Sequence, residues 1–189
     1  MKNYVEEKVI DKTDFTKTNL AKGDYEHCTF TNCNFLSGDI SAIKFFDCTF
    51  IACDLSLVVL TKTAFSTCLI KDCKLLGVQF NTCNDFLFSI HFENCTLKLS
   101  SFYKLNLTQT TFKNCNLEEV DFSNADLSGI YFDTCDLTRA TFNNSILQKT
   151  NFTSAINYSI DLELNQVKKT KFASAGLAGL LTKYDIEID

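Results

Sequence analysis

Large apolar residues recur at every fifth position from Phe15, through Leu20, Tyr25, Phe30 and Phe35, as far as Phe80. The register then slips by two residues. It resumes at Leu87, Phe92, Leu97 and Phe102 and runs to Phe152, with Phe and Leu alternating. Asn157 breaks the series, and Leu162, Val167 and Phe172 restore it. Of the 18 Phe, only Phe46, Phe86 and Phe88 lie off these centres. A helix repeats every 3.6 residues and a strand every 2, so neither produces a strict five. The spacing predicts a chain that turns a corner every five residues and sends one large side chain inward from each side. The residue two before each centre is small, as at Thr13, Gly23, Cys28, Cys33, Ser100 and Ala125; Ile43, Val58, Leu105 and Ile130 are exceptions. One large and one small inward residue per side would fill a narrow interior at the density of protein cores. The other positions are mostly Asn, Asp, Thr, Ser and Lys, as a solvated outside requires.

The cysteines set the number of sides. Cys28, Cys48 and Cys68 are twenty residues apart, as are Cys33, Cys53 and Cys73, and Cys95, Cys115 and Cys135. Twenty residues make four sides of five. The prediction is an all-β fold, a quadrilateral coil of about eight turns and about 38 Å at the spacing of neighbouring strands. If the slip preserves the side count, Cys73 and Cys95 share a side. The Phe centres of the second half then occupy two opposite sides and the Leu centres the other two. The chain divides into a lead-in or cap at 1–12, the repeat at 13–172 with its slip near 81–91, and a tail at 173–189. In the tail, Ser174 is placed to cap a short helix whose Leu177, Leu180, Leu181 and Tyr184 recur at i, i+3, i+4 and i+7. Asp185 to Asp189 alternates like a strand, bringing Ile186 and Ile188 to one face. An open coil end exposes apolar centres and unpaired backbone, so the tail is expected to cap it, pair with a second copy, or both.

The pattern resembles the pentapeptide-repeat family; Ala125-Asp126-Leu127-Ser128-Gly129 fits its A(D/N)LXX consensus. The resemblance covers about residues 13–177 and implies a right-handed quadrilateral β-helix. A narrower resemblance lies in Cys53-Asp54-Leu55-Ser56-Leu57, Leu75-Leu76-Gly77-Val78, Asn157-Tyr158-Ser159-Ile160-Asp161 and the tail from Leu180 to Ile188. These look like the albicidin-resistance and Qnr-like group within that family. That resemblance implies an end-to-end homodimer through the tail and binding to DNA gyrase or topoisomerase IV by mimicry of DNA. It also implies quinolone- or albicidin-type resistance.

Composition narrows the chemistry. There is no Pro and only 6 Gly, so no flexible linker divides the chain. The net charge of -5 argues against direct nucleic-acid binding through phosphates. No apolar run is long enough to cross a membrane, and Met1 to Ile10 does not read as a signal peptide, so a cytoplasmic protein is expected. All 10 Cys fall two before a centre, counting Cys83 in the first register, where a free thiol serves as a small hydrophobe. Straight columns of thiols do not make a tetrahedral zinc site. His27 and His91 fall on outward positions without catalytic companions, and no phosphate-binding glycine loop occurs. No enzyme activity and no cofactor are expected. Candidate partner-binding residues are Phe86 and Phe88, read as outward aromatics at the slip, and the densest acidic stretch: Glu118, Glu119, Asp121, Asp126, Asp133 and Asp136. Five net charges over about 38 Å give about one per 8 Å, against one per about 1.7 Å in DNA. Mimicry would therefore rest on local acidic positions and rod shape. The alternative is a scaffold for some other protein.

Overall fold

A computed structural model describes residues 3–86, 88–184, 186 and 187. The short strands are β1 (Asn3–Glu6), β2 (Val9–Asp11), β3 (Gly23–Glu26), β4 (Thr29–Thr31), β5 (Lys44–Phe46) and β6 (Thr49–Ile51). They continue as β7 (Ala64–Ser66), β8 (Cys68–Lys71), β9 (Ile90–Glu93), β10 (Thr111–Lys113) and β11 (Phe132–Asp133). Every pairing is parallel. Sheet order is β1-β3-β5-β7 on one face, here face A, and β11-β10-β9-β8-β6-β4-β2 on the next, face B. Faces C and D are ladders of single bridges, Asp14 to Asn34, Asp54, Lys74, Thr96, Asn116 and Asp136 on C, and Gln79 to Ser101, Asp121 and Thr141 on D. Partners differ by twenty residues except across the slip, so the chain is a four-sided parallel solenoid.

The corners explain the period of five. At most corners the residue two after a centre sits in the left-handed region, with φ between 49° and 62° at the non-glycine positions from Glu7 through to Lys169; Lys17, Lys22, Gln109 and Ser154 are exceptions. On faces C and D the centre's carbonyl also closes a turn with the N–H three residues on, as from Gly38 to Phe35 (2.8 Å) and Ser100 to Leu97 (3.0 Å). The tight turn leaves no length for a regular strand there.

The interior is columns of rings. Phe92, Phe112, Phe132, Phe152 and Phe172 stack at 5.1–5.5 Å on face B. Phe80, Phe102, Phe122 and Phe142 stack at 4.6–5.4 Å on face D, opposite. The columns meet edge to face, as Phe102 does with Phe112 (5.6 Å, 86°). Offset stacking within columns and edge contacts between them suit the ring quadrupole. Leu97, Leu117 and Leu137 line face C and Leu107, Leu127 and Leu147 face A, all buried. The opposite placement of Phe and Leu is as the alternation predicts. Free space around Leu55, Leu60 and Phe65 amounts to about 10 Å³, at the lower limit for one water.

The slip keeps the side count. Ile70 pairs with Phe92 and Lys74 with Thr96, and the Thr96 N–H donates to the Cys73 carbonyl (3.1 Å), so Cys73 and Cys95 share face C. The inserted residues bulge on face A. Phe86 is 75% exposed, but Phe88 is buried (4%) and meets Phe80 edge-on at 6.3 Å. This corrects the reading of Phe88 as an outward aromatic. A turn from the Phe88 N–H to the Asp85 carbonyl (3.3 Å) swings its ring inward, above the Tyr25, Phe45 and Phe65 column. Leu87, the expected centre, lies outside the described residues.

The ends differ from expectation in three ways. Residues 3–11, read as a lead-in, already pair as a rung through β1 and β2. Near Asn157 (φ 59°) the inward places pass to Tyr158 and Ile160, and Leu162 is exposed. The tail forms a 3-10 helix over Ser174–Leu180 and a turn over Thr182–Tyr184; Ala173 precedes the helix, and no side chain caps it. The glycines favour the tighter winding. A Cβ at Gly176 would strike the Tyr158 hydroxyl, and one at Gly179 the Tyr158 carbonyl. Three-residue periodicity sets Gly176 and Gly179 against Tyr158; Leu180 packs on the core while Leu177, Leu181 and Tyr184 are exposed, so the expected four-residue stripe is split. Of the expected strand, Ile186 and Glu187 have no regular structure, and Asp185, Ile188 and Asp189 lie outside the described residues.

Candidate interaction surfaces

The residue before a centre is often Asp or Asn, and the structure shows why. Its side-chain oxygen accepts the N–H two residues on: Asp54 from Ser56 (3.0 Å), Asp121 from Ser123 (2.9 Å), Asp126 from Ser128 (2.9 Å) and Asp136 from Thr138 (3.0 Å). This Asx turn fixes the corner. Asp136 also accepts the Thr138 hydroxyl (2.7 Å) and the Asn157 amide (2.9 Å). Partial burial opposes its ionisation, but these bonds prevail and hold its carboxyl below the usual range.

The acidic stretch is thus distributed and largely engaged. Glu118 and Glu119 lie at the C–D corner, Asp121 on D, Asp126 on A, Asp133 on B and Asp136 on C. Arg139 bridges Glu118 (2.5 Å) and Glu119 (2.6 Å), and Lys98 meets Glu118 at 2.9 Å. Asp133 takes the Thr134 hydroxyl (3.0 Å) and Asp121 that of Thr141 (3.0 Å). These residues do not converge on one face.

Face A holds a grouping that density along the chain does not reveal. Pairing of β1 with β3 sets Glu6 beside Glu26 and Tyr4 beside Asp24, with Glu7 and Asp47 at the same corner. The Tyr4 hydroxyl donates to Glu26 (2.6 Å), which holds the phenol proton and raises the Tyr4 pKa to about 12. At the far end of the face stand Lys149, Lys168 and Lys169. The readable signal is Glu6 and Glu26 at the twenty-residue spacing.

The thiols are free, and all but the half-buried Cys83 are fully buried. Several donate to a carbonyl one level below: Cys48 to Tyr25 (3.4 Å), Cys53 to Phe30 (3.4 Å) and Cys135 to Phe112 (3.6 Å). Thr63, Ser145 and Thr150 make the same bond with hydroxyls, at 2.9, 2.8 and 2.8 Å. The small position therefore selects a donor as well as a size. Burial pushes Cys48 and Cys68 up to about 12. Among the described residues no His, Cys, Asp and Glu group could hold a metal ion. His91 bonds Thr111 (3.0 Å) and His27 stands 3.8 Å from Glu26.

At the C-terminal end, Lys183 bridges Asp161 (2.9 Å) and Glu163 (2.8 Å), Ser159 bonds Thr182 (2.7 Å), and the Ile160 N–H donates to the Gly179 carbonyl (3.0 Å). The tail is thereby fastened across the last coil. Its outer side presents Leu177, Leu181, Tyr184 and Ile186 at 49, 38, 54 and 55% exposure. No described helix is long and apolar enough to cross a membrane.

No curated protein matches the sequence. Among solved structures, a trypsin-treated variant of QnrB1, a plasmid-mediated fluoroquinolone resistance protein, is 20% identical with a TM-score of 0.50, covering 100% of this chain and 99% of that one. Full-length QnrB1 is 16% identical (TM-score 0.49), covering 97% and 100%. HetL, a pentapeptide repeat protein involved in heterocyst differentiation regulation from the cyanobacterium Nostoc sp. strain PCC 7120, is 16% identical (TM-score 0.41), covering 89% and 86%. At these identities the likeness speaks to the fold. The model of the pentapeptide repeat region matches residues 43–120 and 86–172. With the period, the left-handed corners and the Asx turns in agreement, the chain belongs to the pentapeptide-repeat family.

Proposed function

We propose that this protein binds a type II topoisomerase, DNA gyrase or topoisomerase IV, and protects or modulates it against a poison of the quinolone or albicidin kind. The observation that carries the reading is the rod itself: a filled four-sided solenoid with a fastened end, alike over its whole length to a fluoroquinolone resistance protein. No chemistry on substrate is required of it; it acts by occupying a surface. The tail pairs two copies end to end through Leu177, Leu181, Tyr184 and Ile186, with Ile188 beyond the described residues. Leu180 serves instead as the cap. Two-fold pairing would double a rod of about 38 Å and match the symmetry of a two-fold enzyme. The acidic end of face A, around Glu6, Glu7, Glu26 and Asp47, is the surface suited to a groove that otherwise holds phosphates. Phe86 adds an exposed ring at the bulge.

A scaffold for an unrelated protein is the second reading. It is favoured by the engagement of Asp121, Asp126 and Asp136 in turns and of Glu118 and Glu119 with Arg139, which leaves those acids little to offer a basic groove. Immobilised gyrase separates the two. The protein should bind it, and duplex DNA should compete. Glu6→Gln with Glu26→Gln should weaken binding at least tenfold, and Leu181→Lys with Tyr184→Lys should abolish end-to-end pairing and bind less well. No binding by the wild-type protein favours the scaffold.

A further inference from the structure

The first half of face C carries aliphatic side chains that the core does not use. Leu36, Leu57, Leu76 and Leu99 lie at or beside its corner with face D, and Val59 just past it, at 43, 54, 40, 47 and 46% exposure. Single exposed leucines are ordinary, but a strip running over successive rungs is not. Backbone bonds tie those rungs directly, from the Ser37 N–H to Ser56, Leu57 to Leu76 and Gly77 to Lys98, each 2.9 Å. Leu57 and Leu99 occupy left-handed corners (φ 56° and 62°), where neighbouring rungs place Ser37, Gly77, Glu119 and Arg139.

The strip is patterned. One column reads Leu36, Ser56, Leu76, Lys98 and the next Ser37, Leu57, Gly77, Leu99, so on the first three rungs each leucine has a short residue beside it. Gly77 leaves room into which Leu57 leans. In the column alongside, Asp54 and Lys74 are bridged neighbours of opposite charge. Consider a two-fold axis lying across the face between those two rungs. It sets each column against itself reversed. Asp54 meets Lys74 of the second copy, and Lys74 meets Asp54. Leu76 faces Ser56, Leu57 faces Gly77 and Leu99 faces Ser37. Apart from Leu36, which faces the stem of Lys98, each leucine opposes a short residue, and opposite charges meet. A surface complementary to itself under a two-fold rotation is what an isologous contact demands. A parallel arrangement in the same register sets each rung against its own and so never brings Asp54 to Lys74.

We propose that this face binds a second copy of the chain, side by side and antiparallel, about an axis between the rungs of Asp54 and Lys74. The contact is independent of the tail and of any topoisomerase.

Sedimentation velocity over a concentration series on the full chain tests it. Lys74→Asp keeps the turn chemistry that Asp54 shows on the same face, and should weaken side-by-side association at least tenfold by setting carboxylates together. Adding Asp54→Lys should restore it, since Lys44 and Lys171 already occupy the equivalent place in other rungs. Leu57→Ser with Leu76→Ser, which copies the serines at positions 37 and 56 of the same columns, should also weaken it without touching charge. In a Leu181→Lys background, where end-to-end pairing is removed, the side-by-side dimer should persist. The proposal is overturned if that background is monomeric at all concentrations, if Lys74→Asp sediments as wild type, or if the double swap fails to regain association. It is equally overturned if the serine variants sediment unchanged but lose binding to gyrase, for the strip then serves the enzyme.

Discussion

A position in this protein is defined by which of five places it holds, and substitutions should sort by place. Phe112 stacks between Phe92 and Phe132 and meets Phe102 and Phe122 edge-on. Phe112→Ala should cost about 3–5 kcal/mol in chemical denaturation, because rings above and below cannot close the cavity. Cys135→Ser should cost less than about 1 kcal/mol, because a hydroxyl inherits the Phe112 carbonyl that the thiol now uses. Equal costs would contradict the separation of large and small places. The carboxylates before the centres give a pH dependence. Asp14 is held down to about 2 by the Thr16 hydroxyl first, and Asp39 and Asp136 are also lowered. Depressed pKa values in the folded state mean a contribution complete above about pH 4 and lost as pH falls toward 2. The unfolding midpoint should drop across that window. Asp136→Asn, which keeps the cap, should flatten the slope, whereas Asp136→Ala should lower stability at pH 7 as well.

Elements here are one side long, and the irregular ones are the least legible from sequence. Five-residue spacing predicts the core because each centre reports its own place. At the bulge it fails for Phe88, because two inserted residues leave the choice of inward ring to a local turn. In the tail it fails because apolar spacing alone does not distinguish an α-helix from a 3-10 helix wound over Tyr158. The acidic pairing of Glu6 with Glu26 is legible, but only along a column. Alanine substitution at the bulge should separate its rings: Phe88→Ala should lower the thermal midpoint by several degrees, while Phe86→Ala should leave it within about one degree. Gly179→Ala should release the tail, since a Cβ there meets the Tyr158 carbonyl. Hydrogen exchange should then accelerate over 174–184 while the Phe columns stay protected. Unchanged exchange in the tail would show that the glycine contact does not hold it.

At the scale of the whole molecule, the protein is a filled rod with an acidic end on one face, a basic end beyond it, and a tail fastened through Gly179, Thr182 and Lys183. Such an object can present a surface but has little interior with which to transform a ligand. If the rod occupies a topoisomerase, an enzyme that holds DNA must respond to it. The most direct measurement is gyrase cleavage of plasmid DNA in the presence of a fluoroquinolone, with the wild-type protein titrated from well below to well above the enzyme concentration. Drug-stabilised linear DNA should decrease as the protein is added, saturating near stoichiometric dimer, and Glu6→Gln with Glu26→Gln should shift the response to higher concentration. Cleavage unchanged across the whole titration, with supercoiling equally unaffected, would contradict topoisomerase binding.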